Sequence, residues 1–159
     1  MDKLWAPWRI NYIRNPKQKK CIFCQGKVSK KKNYTIFKTK YASVRLNIFP
    51  YNNGHLLVSP IRHVNDIDKL NKDELLGLFQ AVNKAKKLLR KVLNPNGFNI
   101  GINLGTSAGA GIKGHLHVHI VPRWIGDTNF MPTLFSTKVI SQSLDELYKL
   151  LKNAESKNN

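Results

Sequence analysis

Short runs of β-branched and aromatic residues occur on both sides of a long segment with helical periodicity. These runs predict five strands, at residues 34–38, 41–49, 55–60, 98–105 and 114–124. The segment "PYNNG" at 50–54 is typical of a turn between the second and third strands. The fourth strand enters a glycine-rich loop that leads to the fifth.

Residues 72–93 show the clearest helical period in the chain. The apolar residues predicted to form the buried face of this helix are Leu75, Leu78, Phe79, Val82, Ala85, Leu88, Leu89 and Val92. Asn71, with Glu74 three residues later, predicts an N-terminal cap, and "NPNG" at 94–97 ends the helix. Residues 143–153 predict a C-terminal helix. A long helix, a C-terminal helix and antiparallel strands together predict an α+β fold.

The length of 159 residues predicts a single domain over 1–159, in which residues 1–33 form a basic N-terminal arm. No apolar run approaches the length that crosses a bilayer, and the N-terminus does not resemble a secretory signal. We therefore expect a soluble, cytoplasmic protein.

The net charge of +18 comes from 27 Lys and Arg against 9 Asp and Glu. It indicates an anionic partner (a nucleotide, a nucleic acid or a membrane surface), or only a solvated surface rich in lysine. Charge by itself does not choose between these alternatives.

The chain has two cysteines, Cys21 and Cys24, in the segment "CIFC". Two thiols at this spacing do not form a secreted disulfide framework. They indicate half of a zinc site, a redox pair or two thiols without a special role, and the redox alternative is weaker because "CIFC" does not follow a strand of a βαβ unit.

Three of the five histidines, His115, His117 and His119, stand at alternate positions in "GHLHVHIVPRW". In a strand such residues share one face, and the intervening Leu116, Val118 and Ile120 share the other. Because crowded imidazoles removed from water need partners, we expect the imidazole face to open to a cleft.

Three interpretations of this histidine row compete. It is an exposed row without function, a catalytic metal site, or a site for nucleophilic and acid–base chemistry on phosphate. Neutral imidazole attacks phosphorus well, and a second imidazole assists the leaving group. The preceding segment 103–114 favours phosphate chemistry, because its glycines allow backbone N–H groups to approach an anion closely.

The segment from His115 to Val121 matches the pattern His-φ-His-φ-His-φ-φ, where φ is apolar, and resembles the histidine triad (HIT) family. The resemblance extends over "LWAPWRINYI", "LNIFPYNNGHLLVSPIRHV" and "GDTNFMP", and is strongest to the bacterial diadenosine tetraphosphate phosphorylase and hydrolase branch. It implies a HIT-like fold. It also implies that His117 attacks the α-phosphorus of a dinucleoside polyphosphate to form a nucleotidyl-histidine, while His119 contacts the phosphate and assists the leaving group.

The resemblance also assigns substrate-binding positions. It implies that Asn47 binds the ribose, that Asn103 lies beside the phosphates and that His55 lies near the catalytic strand. Hydrogen bonds within turns are the alternative role for both asparagines. Many relatives have Ala-Gly-Gln-(Ser/Thr)-Val before the triad, where this chain has "AGAGI" at 108–112 with an apparent one-residue insertion. Backbone amides around Gly111, or the hydroxyls of Thr106 and Ser107, are expected to replace the missing groups.

The resemblance further implies a structural zinc held by Cys21, Cys24, His63 and His115, with no organic cofactor, and at least a homodimer. Two thiolates and two imidazoles form a closed tetrahedral set. The alternative functions are a general purine nucleoside phosphoramidase or nucleotide-binding member of the same family, and a basic nucleic-acid-binding module.

Overall fold

Five antiparallel strands form one sheet in the order β1-β2-β3-β5-β4. The computed structural model describes residues 21–24, 33–105, 107–109, 114–135 and 137–157. The strands are β1 (Thr35–Lys38), β2 (Ala42–Leu46), β3 (Leu56–Pro60), β4 (Gly97–Ile102) and β5 (Val118–Arg123). The helices are α1 (Lys72–Leu93), α2 (Phe130–Phe135) and α3 (Leu144–Ser156). The predicted α+β fold is confirmed.

The long helix α1 has the predicted start. The Asn71 side chain accepts from the Glu74 backbone N–H, and the Glu74 carboxylate accepts from the Asn71 N–H, so both members of a capping box are present. Arg62 pairs with Glu74 at 2.7 Å and ties this helix start to the segment that follows β3. The helix ends at Asn94, whose φ of 45° is left-handed.

The core lies between α1 and the sheet. Leu78, Val82, Ala85 and Leu89 are buried, as are inward-facing strand residues such as Val58. Leu147 and Leu151 of α3 join the same cluster. Burying an aliphatic side chain of this size contributes about 1.5–3 kcal/mol, so this apolar layer holds the strands that carry the histidines.

Two apolar residues of α1 were wrongly predicted to be buried. Leu75 and Phe79 are 38% and 50% exposed. With about 100° of rotation per residue, both lie beyond one edge of the stripe centred on Leu78 and Leu89, so they flank the core.

The predicted strand boundaries need correction on the site side of the sheet. The second strand ends at Leu46 instead of residue 49, and the last strand begins at Val118, so His115 and His117 precede it. The short helix α2 was not predicted. Of the predicted basic arm over 1–33, only residues 21–24 and 33 are described. No helix among the described residues has the length and apolar character needed to span a membrane.

Candidate functional site

The turn before β3 delivers His55 to the triad. Gly54, with φ of 77°, takes a left-handed conformation, and a Cβ there would lie 2.5 Å from Leu93 Cδ1. His55 follows and is fully buried. The pairing of β3 with β5 sets Leu57 opposite His119. Two histidines that are 64 residues apart in sequence therefore meet, with His55 Nε2 2.9 Å from His119 Nδ1.

The hydrogen bonds of His55 determine where its proton lies. The backbone N–H of Tyr51 donates to His55 Nδ1 at 3.1 Å, so Nδ1 is an acceptor and the proton of the neutral ring is on Nε2. His55 Nε2–H then donates to His119 Nδ1, which leaves the His119 proton on Nε2. His119 Nε2 is buried and has no hydrogen-bond partner among the residues that the structure describes. Because buried donors are normally paired, this N–H is available for a ligand.

His117 has the opposite arrangement. Its Nδ1 lies 2.9 Å from the backbone carbonyl oxygen of His115, so Nδ1–H donates and Nε2 carries the lone pair. The rings of His117 and His119 have centroids 4.9 Å apart. The site therefore pairs a nucleophilic nitrogen with a hydrogen-bond donor.

Burial keeps these imidazoles neutral. Burial, and then the neighbouring His119 and His117, lowers the pKa of His55 to about 3. Burial and the neighbouring His117 lower the pKa of His119 to about 4. Burial also lowers the pKa of His117, opposed by its bond to the His115 carbonyl. Near neutral pH the His117 ring is thus in the form that attacks phosphorus.

The depressed pKa values predict that acid destabilises the fold. Unfolded histidines bind a proton near pH 6.5, whereas folded His55 does so only at about 3. Between these values the unfolded state holds the extra proton, so the stability present above pH 6.5 is lost as the pH falls. The slope for His55 is about 1.4 kcal/mol per pH unit. Urea unfolding at pH 7.5, 6.0 and 5.0 measures it, and a free energy of unfolding that does not fall would contradict this assignment.

The prediction that the imidazole face opens to a cleft was wrong for two of the three triad histidines. His115 and His117 are 1% and 4% exposed. Their partners lie within the protein. His115 Nε2–H donates to the Pro60 carbonyl oxygen at 2.9 Å, and the Phe23 ring lies against both imidazoles, with centroids 5.1 and 5.2 Å away. Only His119 of the three is partly exposed.

The structure describes some of the candidate substrate-binding residues and not others. Asn47 Nδ2 lies 3.2 Å from His55 Nδ1, and Asn47 Oδ1 accepts from the Phe49 N–H at 3.0 Å, so this side chain holds the turn beside His55. Asn103 is half-buried just after β4. Ser107 is exposed on the glycine-rich loop. The predicted contacts of Thr106 and Gly111 lie outside the described residues.

A second cluster lies next to the triad. Cys21, Cys24, His63 and His115 place one potential ligand atom each within 4.8 Å of one another. Cys21 Sγ is 3.3 Å and Cys24 Sγ 3.5 Å from His115 Nδ1, and Cys24 Sγ is 3.1 Å from His63 Nδ1. Ligands bound at about 2.0–2.3 Å in a tetrahedron are about 3.3–3.8 Å apart. The separations of 3.1–3.5 Å given above are close to this spacing, so the four residues could hold a metal ion such as zinc.

The surroundings of this cluster also fit a cation. The Pro60 carbonyl fixes the His115 proton on Nε2 and turns Nδ1 toward the thiols, as a partner outside the ligand set does in metal sites. Burial, and then the hydrogen bond and charge of the neighbouring Cys21, raise the pKa of Cys24, so the two thiols do not favour ionising together. A divalent cation would stabilise the two thiolates together.

Four residues near the site were missed by sequence reasoning. Phe23 contacts two triad imidazoles. Arg45 donates to the Ile22 carbonyl oxygen at 2.5 Å, and its guanidinium lies 5.5 Å from the Phe23 ring centre. Tyr51 stacks on His119 at 5.8 Å. Buried Asn52 donates to the Pro122 carbonyl oxygen and to Asp127. No spacing signal marks these residues, since each contact joins distant segments.

The antiparallel sheet, with paired imidazoles at β5 and an adjacent Cys₂His₂ cluster, defines an α+β protein with a histidine-lined site. The chain belongs to the HIT domain family, whose family model matches residues 28–124. It is 37% identical over 161 residues to the AP-4-A phosphorylase of Mycobacterium tuberculosis, covering 95% of this chain and 83% of that protein.

Two further relatives bear on the site. An asymmetrical bis(5'-nucleosyl)-tetraphosphatase of Schizosaccharomyces pombe is 39% identical over 87 residues, which cover 55% of this chain and 47% of that one. A Zn-bound histidine triad family protein from Mycobacterium smegmatis matches in structure with a TM-score of 0.65 and 26% identity, covering 79% of this chain and 85% of that one.

Proposed function

We propose that this protein is an enzyme that cleaves a dinucleoside polyphosphate, such as diadenosine tetraphosphate, at an α-phosphate and transfers the nucleotidyl group through His117. The AP-4-A phosphorylase and the tetraphosphatase among its relatives support this substrate class. The observation that carries the proposal is the hydrogen-bond geometry of His117 and His119, which assigns a lone pair to Nε2 of His117 and an N–H to Nε2 of His119.

His117 performs the first displacement. Its Nε2 lone pair attacks the α-phosphorus, and a P–N bond forms as the bond from phosphorus to the polyphosphate oxygen breaks. The His115 carbonyl, which accepts from Nδ1–H at 2.9 Å, stabilises the positive charge that develops on the ring. The leaving polyphosphate takes the electron pair of the broken bond.

His119 assists without changing its own protonation. Its Nε2–H donates a hydrogen bond to a phosphate oxygen. His55 Nε2–H donates to the other ring nitrogen, His119 Nδ1, and so holds the ring in that tautomer. A polyphosphate is a weak base, so a hydrogen bond suffices and no proton needs to be delivered. An acceptor oxygen then attacks the same phosphorus, and the P–N bond breaks to regenerate His117.

We propose inorganic phosphate as the acceptor, with the AP-4-A phosphorylase match over 95% of the chain as support. The test is incubation with diadenosine tetraphosphate, with and without phosphate, followed by chromatography. We expect ADP and ATP, formed only when phosphate is present. AMP and ATP formed without phosphate would identify water as the acceptor, and no cleavage in either case would contradict the proposed substrate.

We propose that the Cys₂His₂ cluster holds zinc in a structural role. The ligand set is complete with four protein atoms, so it offers no open position for substrate. A bound zinc would supply charge neutralisation for the two thiolates. The Zn-bound relative from Mycobacterium smegmatis supports the choice of metal.

We also propose a homodimer formed through β4. This strand lies at one edge of the sheet, and Asn99, Ile100 and Gly101 in its centre are exposed. An unpaired edge that exposes an apolar side chain favours pairing with a second strand. Light scattering is expected to give twice the mass of one chain, and a monomer at tens of micromolar would contradict this interface.

A further inference from the structure

The segment Cys21–Cys24, here called the cysteine turn, touches both clusters of the site at once. Its ends present the two thiols to His115 and His63. Its half-buried Phe23 ring lies 5.2 Å from the ring of His117, with an angle of 35° between the planes. The same four residues therefore contact the metal cluster and the proposed nucleophile.

Within the part of the chain that the structure describes, few contacts besides those of the thiols restrain the cysteine turn. It belongs to no strand and to no helix. Apart from the thiol contacts, it is held by the packing of the Phe23 ring on His115 and His117. Among the described residues, Arg45 adds a hydrogen bond to the Ile22 carbonyl oxygen and lies beside the Phe23 ring. Without a cation, the thiols make only weak hydrogen bonds to imidazole nitrogens. Metal–sulfur bonds at both ends would restrict the turn far more strongly.

We propose that the cysteine turn is a metal-ordered clamp that presses Phe23 against His117, so that metal loading sets the position of the nucleophile. Phe23 is a positioning residue in this arrangement, because it acts on His117 and not on the reacting atoms. The proposal rests on the proposed function only where it names His117 as nucleophile; the contact between Phe23 and His117 stands without it.

The size of the effect follows from how in-line attack depends on geometry. His117 Nε2 must approach phosphorus along one direction, and a displacement of about 1 Å can cost about 100-fold in rate. Its ring is held by the His115 carbonyl at Nδ1 and by the packing of Phe23 and His119. Without Phe23 on one side, the His117 ring can rotate more freely about its hydrogen bond to the His115 carbonyl. We therefore expect kcat to change more than KM.

The test follows the His117 ring directly, in protein labelled with carbon-13 at the ε1 position of histidine. The His117 signal is assigned by its absence from His117→Asn. A ring 5.2 Å away shifts this signal, so removal of zinc by a chelator should move it. In Phe23→Leu the signal should already be displaced, and chelation should move it no further. Phe79→Leu, on the exposed flank of α1, is the matched control and should behave as the parent protein.

Kinetics and metal binding complete the test. We expect chelation to lower kcat by about tenfold or more, Phe23→Leu to lower it similarly while zinc is bound, and Phe23→Tyr to restore it. Weaker zinc binding by Phe23→Leu would also support the clamp, since coupling between two sites is reciprocal.

Two results would overturn the clamp. One is a His117 signal that does not respond when zinc is removed from the parent protein. The other is a chelation-induced shift that is equal in Phe23→Leu and in the parent. Neither depends on the outcome for the proposed function, because the spectra are recorded without substrate and the function is judged by the turnover of His117→Asn.

Discussion

Replacing His117 by asparagine is expected to lower kcat/KM for diadenosine tetraphosphate by about 10³-fold or more. The substitution removes the Nε2 lone pair that attacks phosphorus, and no described side chain next to it offers an equivalent nucleophile. Asparagine is preferred to alanine because its amide N–H can still donate to the His115 carbonyl oxygen, as Nδ1–H does at 2.9 Å. The buried acceptor thus keeps a partner, and the loss reports chemistry rather than unfolding.

The covalent intermediate gives this experiment a second readout. Rapid quenching of the parent enzyme with substrate labelled at the α-phosphate should trap label on the protein as an acid-labile phosphoramidate. His117→Asn should trap none, while its melting temperature stays close to that of the parent. Normal turnover by this variant, or undiminished labelling, would remove His117 from the mechanism.

The second large effect is expected from Cys24→Ser. The parent protein should purify with about one zinc per chain, and the variant should lose it, because a hydroxyl is a far poorer ligand than a thiolate. Metal present at 100 times its dissociation constant stabilises the folded state by about 2.7 kcal/mol. In a chain of this size that corresponds to a fall in melting temperature of about 5–10 °C.

The control for this variant is the chelator itself. Chelation should lower the melting temperature of the parent to that of Cys24→Ser and should leave the variant unchanged, since both treatments remove the same ion. His63→Ala, at the exposed corner of the cluster, should behave like Cys24→Ser. A parent protein without zinc, or a chelator effect of equal size in parent and variant, would contradict a structural metal at Cys21, Cys24, His63 and His115.

The parts of the site that sequence could predict are those encoded locally. The spacing of His115, His117 and His119 identified the triad, and half of a metal site was one of three interpretations of the pair Cys21 and Cys24. In both motifs the residues are at most four positions apart, so their spacing in sequence already implies that their side chains lie close together. The second half of the metal cluster came from family resemblance, and the structure brings His63 and His115 to the thiols across 39 and 91 residues from Cys24.

Errors arose where packing of distant segments decides the outcome. An alternating pattern predicted a strand from residue 114, but pairing with β3 begins only at Val118. The same alternation predicted an open imidazole face, although Phe23 lies against His115 and His117. On α1, the helical spacing placed Leu75 and Phe79 in the apolar stripe that we predicted to be buried. The spacing does not show which edge of this stripe packs against the sheet, and that becomes clear only in the folded structure.

From the sequence we could predict the five strands, the two longer helices, the capping box at Asn71, the triad and the family. Each depends on residue types at short, regular spacings. Only the tertiary structure settles where the His119 proton lies, because its partner His55 meets it only when β3 pairs with β5. It also decided that Phe23 lies against His117. An imidazole becomes a nucleophile or a donor according to which of its nitrogens finds a partner. His117 finds its partner two residues away in His115, whereas His119 finds it in His55, which only folding brings close.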